Sequence, residues 1–308
     1  MFNLRNKLLY STGVKDTISV VKKPKSTSNV EYCLDLIKQY DYENFVCTLL
    51  LKNTARSCAI AVRSLNVEVA KVKEQTSDPK IGVMRLQFWE ETVDKCFTKD
   101  PRNVPQHPVA VQLYKSLMNS RLSKHHFLNL ISCRKQYLPQ NYFNNLEDLE
   151  KYAEKSMSSV YYLIFEGMDI RNIHADHAAS HLGKAQGITQ QLRIAPFAKQ
   201  LNTIPIPQDL LIKHNLSQED ILRGKSSKNL KECVYEIASR AYQHLMKARS
   251  LLQKVPAKGR DALLPAVPVY NYLDRLQKVD YEILHPDLQK KSRMWLFHLW
   301  ISHFQNKY

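Results

Sequence analysis

Glycine is scarce in this sequence, with 7 glycines among 308 residues, against a typical usage of about 7%. β-Hairpins and dinucleotide-binding α/β folds need glycine in tight turns and phosphate loops. The scarcity of glycine, together with long stretches rich in Leu, Lys, Glu and Ala, therefore favours an all-α fold. A chain of this length buries about three quarters of its unfolded surface, which is enough for one large core.

Several sequence signatures are missing as well. The six cysteines include no C-x-x-C pair, so the sequence indicates neither a zinc ribbon nor a disulfide framework, and we expect isolated buried thiols. No apolar run approaches the roughly 18–20 residues that a membrane-spanning helix needs. The motifs G-x-S-x-G, P-loop and G-x-G-x-x-G are absent, which leaves hydrolase, NTPase and dehydrogenase functions without support.

Positive charge is present in excess. The 45 Lys and Arg residues against 29 Asp and Glu give a formal net charge of +16. Such a balance indicates an anionic partner, which can be nucleic acid, a membrane surface or an acidic protein face, and it is also ordinary for mitochondrial matrix proteins. The basic residues are spread along the chain without a helix-turn-helix or RNP signature, so we expect no nucleic-acid binding.

Residues 1–30 have the composition of a mitochondrial transit peptide followed by a linker. They hold six Lys and Arg residues against one acid, Asp16, and are rich in Ser and Thr. Met1–Ser11 can form a short amphipathic helix; a frayed basic tail is the alternative. We therefore expect a leader and linker in residues 1–30 and an all-α domain in residues 31–308.

Helical periodicity dominates the chain from Tyr32 onwards. It predicts helices over 31–52, 54–75, 80–97, 109–119, 123–136, 146–167, 173–195, 229–254, 260–278 and 286–305. Asp78-Pro79 is a start signal for the third of them. Loop 196–228 is expected to hold a short helix that begins at Ser217. Because no break in composition divides these helices, they predict one domain.

Five segments, in order over residues 45–285, resemble the squalene/phytoene synthases, enzymes that join two prenyl diphosphates head to head. They are LLLKNTARSCAIAVRSLNVEVAKVKE (49–74), RLQFW (85–89), NNLEDLEKYAEKSMSSVYYL (144–163), HLGKAQGITQQLR (181–193) and ALLPAVPVYNYLDRLQKVDYEI (262–283). The resemblance implies a single-domain, isoprenoid-synthase-like helical bundle.

The sequence departs from these enzymes where they carry two aspartate-rich motifs for Mg²⁺. By the resemblance, acids of the first motif fall on Ala70 and Lys71, and those of the second fall on Ile194 and Ala198. A hard cation such as Mg²⁺ requires carboxylate oxygens. We therefore predict that the chain is not an enzyme and uses no cofactor. A family glycine position holds Tyr161, which would partly fill the prenyl cavity.

Four segments are similar to the family of mitochondrial complex I assembly factor 6, which shares the squalene/phytoene synthase fold. They are AVRSLNVEVAKVKE, IGVMRLQFWEETV, HADHAASHLGKAQGITQQLR and VDYEILHPDLQ. This resemblance implies a non-catalytic factor that acts early in building NADH:ubiquinone oxidoreductase. It implies binding to a nascent complex I subunit or assembly intermediate, in the matrix, at the inner membrane.

An isoprenoid- or lipid-binding protein, or a residual prenyl transferase, is the alternative function for the same cavity. Arginine and lysine can hold a phosphate without a metal. The candidate pocket or phosphate-contact residues are Arg63, Glu68, Lys71, Lys184 and Arg193. Solvated helix faces, or a buried pair between Glu68 and an arginine, would explain the same residues.

Two further patterns leave alternatives open. His174, His177 and His181 share one face of a predicted helix at a spacing that can bind zinc, but no carboxylate joins them, and a place at a core edge or interface explains them equally.

The segment KKSRMWLFHLWISHFQNKY (290–308) interleaves basic and aromatic residues, which suits an anionic membrane interface. Its aromatic residues can instead pack on the domain as its last helix.

Overall fold

The computed structural model describes residues 28–76, 78–290 and 294–308. Residues 1–27 of the predicted leader and linker lie outside these ranges. All regular secondary structure in the described ranges is helical, which confirms the predicted all-α class. The helices are α1 (Asn29–Tyr40), α2 (Tyr42–Leu49), α3 (Asn53–Gln75), α4 (Pro79–Phe97), α5 (Pro108–Asn119), α6 (Lys124–Tyr137), α7 (Leu146–Ala153), α8 (Ser159–Gly167), α9 (Ile173–Ile194), α10 (Ala198–Leu201), α11 (Gln208–Lys213), α12 (Gln218–Leu222), α13 (Lys228–Ser250), α14 (Ala266–Lys278), α15 (Pro286–Gln289) and α16 (Met294–Phe304).

Short polar side chains fix where several helices begin. Asp78 accepts the backbone N–H of Lys80, and Pro79 occupies the first turn of α4, as the sequence predicts. Ser217 and Asp220 form a capping box that begins α12, the short helix expected in loop 196–228. These caps satisfy N–H groups that have no partner within their own helix.

Several predicted helices are interrupted. The helix expected over 31–52 breaks at Asp41, whose φ of −144° and ψ of 49° separate α1 from α2. The helix expected over 146–167 contains a π-helical turn, Glu154–Ser158, between α7 and α8.

The predicted C-terminal helix over 286–305 is wrong as a single element. Helix α15 ends at Gln289, and Lys290 has extended backbone with a ψ of 142°. Arg275 donates from its guanidinium to the carbonyls of Asp287 and Lys290, which gives these carbonyls a partner outside any continuing helix. Helix α16 therefore forms a separate element.

Helix α9 is the central helix, and it packs against α7, the π-helical turn, α8, α13 and α14. Two glycines permit the closest of these contacts. A Cβ built on Gly183 would lie 2.1 Å from Ser158 Oγ, and one built on Gly187 would lie 2.4 Å from Ala153 Cβ. Small residues in this part of α9 therefore let the neighbouring helical turns approach closely.

A large continuous core spans the bundle, and a smaller cluster of Cys47, Leu264, Val267, Trp295 and Leu299 attaches α16 to it. All six cysteines are buried and free, as expected. Across the described ranges, no helix combines the length and the apolar character needed to cross a bilayer. The packing of α3, α6, α7, α8 and α9 leaves one enclosed space between them, which is the candidate functional site.

Candidate functional site

The candidate site is a cavity of about 70 Å³ in the middle of the bundle. Helix α3 lines it with Arg63, Asn66, Val67, Ala70 and Lys71, which recur every three or four residues and so share one helix face. The opposite walls come from the α1–α2 junction, the segment 137–143, the π-helical turn and α9. Sites for small molecules usually enclose about 300–1,000 Å³. The cavity is therefore small for a prenyl substrate.

A chain of buried hydrogen bonds occupies one side of the cavity. Tyr161 donates its hydroxyl to Gln186 Oε1, and Gln186 Nε2 donates to Asn44 Oδ1 at 3.1 Å. Asn44 Nδ2 then donates to Asp41 Oδ1 at 2.6 Å. Arg63 Nη1 lies 3.6 Å from Asp41 Oδ2, which closes the chain with an ion pair. Tyr161 is fully buried, so its ring takes space that a ligand would otherwise fill.

Asp41 is the one carboxylate among the described residues that line the cavity. Burial raises its pKa to about 6, against the opposing effects of the Arg63 guanidinium and the Asn44 hydrogen bond. A pKa of about 6 leaves the carboxylate ionised at neutral pH. Its negative charge therefore faces Arg63.

Three further cations, Lys71, Lys73 and Arg134, line the cavity among amide and hydroxyl side chains. Arg134 Nη2 donates to Asn66 Oδ1 at 2.8 Å. Lys73 Nζ lies 3.4 Å from the carbonyl oxygen of Gln140, and burial lowers its pKa. Lys71 Nζ lies 4.1 Å from the centroid of the Tyr40 ring, a cation–π contact. Three buried donors of the cavity lining have no hydrogen-bond partner among the described residues: Arg63 Nε, Arg134 Nε and Ser156 Oγ.

Two of the five predicted pocket residues line the cavity, namely Arg63 and Lys71. Glu68 lies on the α1 side of α3, where it accepts a hydrogen bond from the Tyr32 hydroxyl at 3.0 Å. Among the described residues, Glu68 therefore binds Tyr32 and does not form the buried pair with an arginine that was the alternative interpretation of the sequence.

The other two predicted residues pair with acids elsewhere. Lys184 Nζ lies 3.3 Å from Glu154 Oε2. Arg193 donates to Glu43, and its guanidinium lies 4.6 Å from the centroid of the Tyr272 ring. Neither side chain is part of the cavity lining in the described structure.

The three histidines of α9 do not form a cluster. His181 Nδ1 lies 2.9 Å from Nδ1 of His244 on α13, and His244 Nε2 lies 3.2 Å from Glu150 Oε1. His177 is exposed to solvent on another part of α9. In the described part of the chain, no group of three or more His, Cys, Asp or Glu side chains is arranged to hold a metal ion.

The cavity residues that were missed from the sequence as site residues include Asp41, Asn44, Lys73 and Arg134. A polar Asn44 in the apolar periodicity of the predicted helix 31–52 was a signal that could have found one of them, because buried polar residues require partners. Which partners they find depends on contacts between distant segments.

Comparison with known proteins identifies the family. A family model described as squalene/phytoene synthase matches residues 37–295. The chain belongs to the squalene/phytoene synthase family. This membership confirms the single-domain helical bundle that the five sequence segments imply.

Curated relatives in this family carry the name "NADH dehydrogenase (ubiquinone) complex I, assembly factor 6". The human relative is 38% identical over 292 residues, which cover 95% of this chain and 87% of that protein. The cattle relative is 40% identical over 277 residues, which cover 90% and 82%. A Drosophila melanogaster relative, named as a homolog, is 39% identical over 270 residues, which cover 86% and 80%. The predicted membership of the complex I assembly factor 6 family is thereby confirmed.

Solved squalene/phytoene synthases share the fold at much lower identity. A dehydrosqualene synthase in complex with a ligand superposes with a TM-score of 0.74 at 17% identity, over 90% of this chain and 95% of that one. The squalene synthase of Alicyclobacillus acidocaldarius gives 0.71 at 19% identity, over 82% and 94%. At these identities the likeness is one of fold alone.

Proposed function

We propose that this protein is a non-catalytic assembly factor for mitochondrial respiratory complex I, which acts early by binding a nascent subunit or subassembly. The observation that carries the proposal is the extent of the similarity. Relatives named assembly factor 6, from mammals to Dictyostelium discoideum, are matched over 80–88% of their own length. A family member that keeps its relatives' whole domain is expected to keep their role.

The charges of the cavity support a role without catalysis. Mg²⁺ needs several oxygen ligands, and carboxylates supply most of them. Among the described lining residues, Asp41 is paired with Arg63, while Lys71, Lys73 and Arg134 add positive charge. The charged side chains of the lining therefore supply a divalent cation with one paired carboxylate and four positive charges. The absence of several acids at this place is what we expect of a scaffold that no longer performs prenyl transfer.

An exposed apolar stripe on α4 supports binding to a partner protein. Ile81, Met84 and Phe88 are exposed and lie at i, i+3 and i+7, so they share one face of the helix. The exposed acids Glu91 and Asp94 lie on the same helix as several basic residues. Apolar anchors within a rim of mixed charge are typical of protein interfaces.

Loss and restoration of complex I tests the assembly role. In cells that lack the protein, we expect native gels of mitochondria to show depleted complex I and stalled early intermediates. The wild-type gene should restore the complex, whereas Met84→Glu should restore it poorly. Ile212→Glu is the matched control, because Ile212 is exposed on α11 away from the stripe. Normal complex I in cells that lack the protein would refute the assembly role.

We also propose that residues 1–30 direct the chain into mitochondria and that the mature domain works in the matrix, in peripheral contact with the inner membrane. The basic, Ser/Thr-rich composition of residues 1–30 supports the import signal. A reporter fused to residues 1–35 should enter mitochondria, and a diffuse cytosolic reporter would refute the signal. Release of the protein from inner membranes by carbonate would support peripheral contact.

Binding of an isoprenoid or another lipid phosphate is the second candidate function for the cavity. The specific observation in its favour is the set of three buried donors without a partner, Arg63 Nε, Arg134 Nε and Ser156 Oγ. An oxyanion would accept hydrogen bonds from them. Calorimetry with farnesyl diphosphate and with inorganic diphosphate, both in EDTA, should detect binding that Arg134→Met abolishes and that Arg121→Met, an exposed control, retains. No heat with either ligand would refute this candidate.

A further inference from the structure

Helix α16 has two faces that differ in exposure. Trp295 and Leu299 are buried against Cys47, Leu264 and Val267. The opposite face carries four large apolar side chains that are 56–80% exposed, and we call it the aromatic face: Met294, Phe297, Trp300 and Phe304. The sequence left open whether this segment packs on the domain or contacts a membrane. In the structure, one face packs and the other is left free to contact something else.

The aromatic face is already arranged in the absence of a partner. The rings of Trp300 and Phe304 stack with their centroids 5.9 Å apart and an interplanar angle of 16°. Their positions are fixed because the buried side chains on the other face of the same helix anchor it to the bundle. A contiguous exposed patch of this kind marks an interaction site more often than a neutral surface.

The charge around α16 favours an anionic occupant. From Leu288 to Tyr308 the sequence contains no Asp or Glu and four basic residues, Lys290, Lys291, Arg293 and Lys307. A groove of about 1910 Å³ adjoins Trp300 and Phe304, and five basic residues line it against three acidic ones. The basic residues are Lys52, Lys99, Arg121, Arg171 and Lys258, and the acidic ones are Glu166, Asp169 and Asp261.

The length and composition of α16 decide how it would meet a membrane. Its 11 residues extend about 16 Å, which is roughly half of the 30 Å hydrocarbon core of a bilayer. The helix therefore cannot cross but can lie in the interface. Tryptophan is enriched at that depth because its ring is apolar and its N–H remains able to bond. Lysines beside such a helix reach the headgroup phosphates.

We propose that the aromatic face of α16 is the surface by which this protein binds an anionic phospholipid bilayer. The proposal deepens the peripheral membrane contact proposed above and rests on it. Phe297, Trp300 and Phe304 enter the boundary between headgroups and acyl chains, while the flanking basic residues bind headgroup phosphates. A second copy of the chain is a poorer occupant, because it would present the same positive charge and no acid to pair with it.

Tryptophan fluorescence gives a direct test, because the chain has three tryptophans and Trp89 and Trp295 are only 5% exposed. Vesicles of phosphatidylcholine with phosphatidylglycerol should shift the emission of Trp300 to shorter wavelength and protect it from iodide, whereas pure phosphatidylcholine should do so weakly. Trp300→Phe should lose the signal yet still sediment with the anionic vesicles.

Sedimentation of vesicles with variants completes the test. The double variant Trp300→Ser, Phe304→Ser should bind anionic vesicles at least about tenfold more weakly. The reason is that burial of each exposed ring in the bilayer alone should strengthen binding by more than about tenfold. Tyr235→Ser, an exposed change on α13, should bind as the wild type does. Equal binding by the double variant, no binding by the wild type, or a dimer that buries Trp300 without vesicles would each overturn the proposal.

The two proposals fail separately. If the wild type ignores anionic vesicles but restores complex I in cells, the membrane surface is wrong and the assembly role stands. If it binds vesicles through the aromatic face but complex I is normal without it, the assembly role is wrong and the surface stands.

Discussion

Individual side chains that line the cavity bind one another. Arg63 and Asp41 form a buried ion pair where their charges compensate each other. Tyr161 fills space and is held by Gln186. These residues stabilise the centre of the bundle through polar contacts that a bound substrate would have to disrupt.

Replacing Asp41 by alanine is expected to lower the free energy of unfolding by about 3–5 kcal/mol, because it leaves the Arg63 charge buried without its carboxylate. Urea denaturation followed by circular dichroism measures the difference. Asp35→Ala is the control, since Asp35 is exposed on helix α1, which precedes Asp41, and should change stability by less than about 0.5 kcal/mol. Similar losses of unfolding free energy in both variants would show that the pair of Asp41 with Arg63 does not stabilise the protein more than an exposed residue does.

Acidification is expected to destabilise the protein through His181. Burial, together with the neighbouring His244 and Lys184, lowers its pKa to about 4, below the value of about 6.5 in an unfolded chain. Between these values the unfolded chain binds a proton that the folded protein does not. The stability that His181 contributes is therefore present above about pH 6.5 and is lost as the pH falls towards about 4.

His181→Gln isolates this effect. Unfolding free energies measured at about pH 7 and at about pH 4.5 should differ less in the variant than in the wild type. Asp41 acts in the opposite sense, since its raised pKa favours the folded state as the pH falls. The wild type and the variant both contain Asp41, so its contribution cancels when their pH dependences are compared. Identical pH dependence in the two proteins would exclude His181 as a source.

Among the helices, α9 depends most on small residues. Gly183→Ala should destabilise the protein by about 1–3 kcal/mol, although alanine is the better helix former. The reason is that the added Cβ would meet the backbone of Ser158 at 2.6 Å as well as its hydroxyl, and backbone cannot rotate aside. Thermal unfolding gives the comparison.

Gly82→Ala on α4 is the matched control. Its Cβ would first meet Leu138 Cδ2 at 2.5 Å and Thr76 Oγ1 at 3.0 Å, which are ends of side chains that can move. We expect a change close to zero at this position. If Gly82→Ala costs as much as Gly183→Ala, the close approach of α9 is not what distinguishes them.

The two faces of α16 predict opposite results for two tryptophans. Trp295→Ala should cost about 3–5 kcal/mol of unfolding free energy because it removes a buried ring from the small cluster. Trp300→Ala should cost less than about 0.5 kcal/mol because its ring is mostly in solvent. Urea denaturation of both variants checks the assignment, and a reversed order would mean that α16 packs through its other face.

Periodicity and caps were sufficient to predict most helices, because both are local properties of the chain. The breaks at Asp41 and Lys290 were not predictable, since they depend on partners such as Arg63 and Arg275 in other helices. For the same reason, only part of the candidate site could be predicted. Arg63 and Lys71 share a face of one helix, which the sequence reveals, whereas Arg193 finds Glu43 across 150 positions.

At the scale of the whole molecule, the helical bundle of this family encloses one small cavity among its described residues. The cavity measures about 70 Å³, and cations outnumber acids among its described lining residues. The net charge of +16 adds a long-range attraction to anionic surfaces. The exposed apolar stripes on α4 and α16 support the roles in partner and membrane binding that we propose.

A turnover measurement with purified protein, farnesyl diphosphate and Mg²⁺ tests the non-catalytic role most directly. Released diphosphate and extracted apolar product are followed over time, beside a squalene synthase as the positive control. We predict no release above the protein-free blank. Product that grows with time and in proportion to the amount of protein would contradict a non-catalytic role.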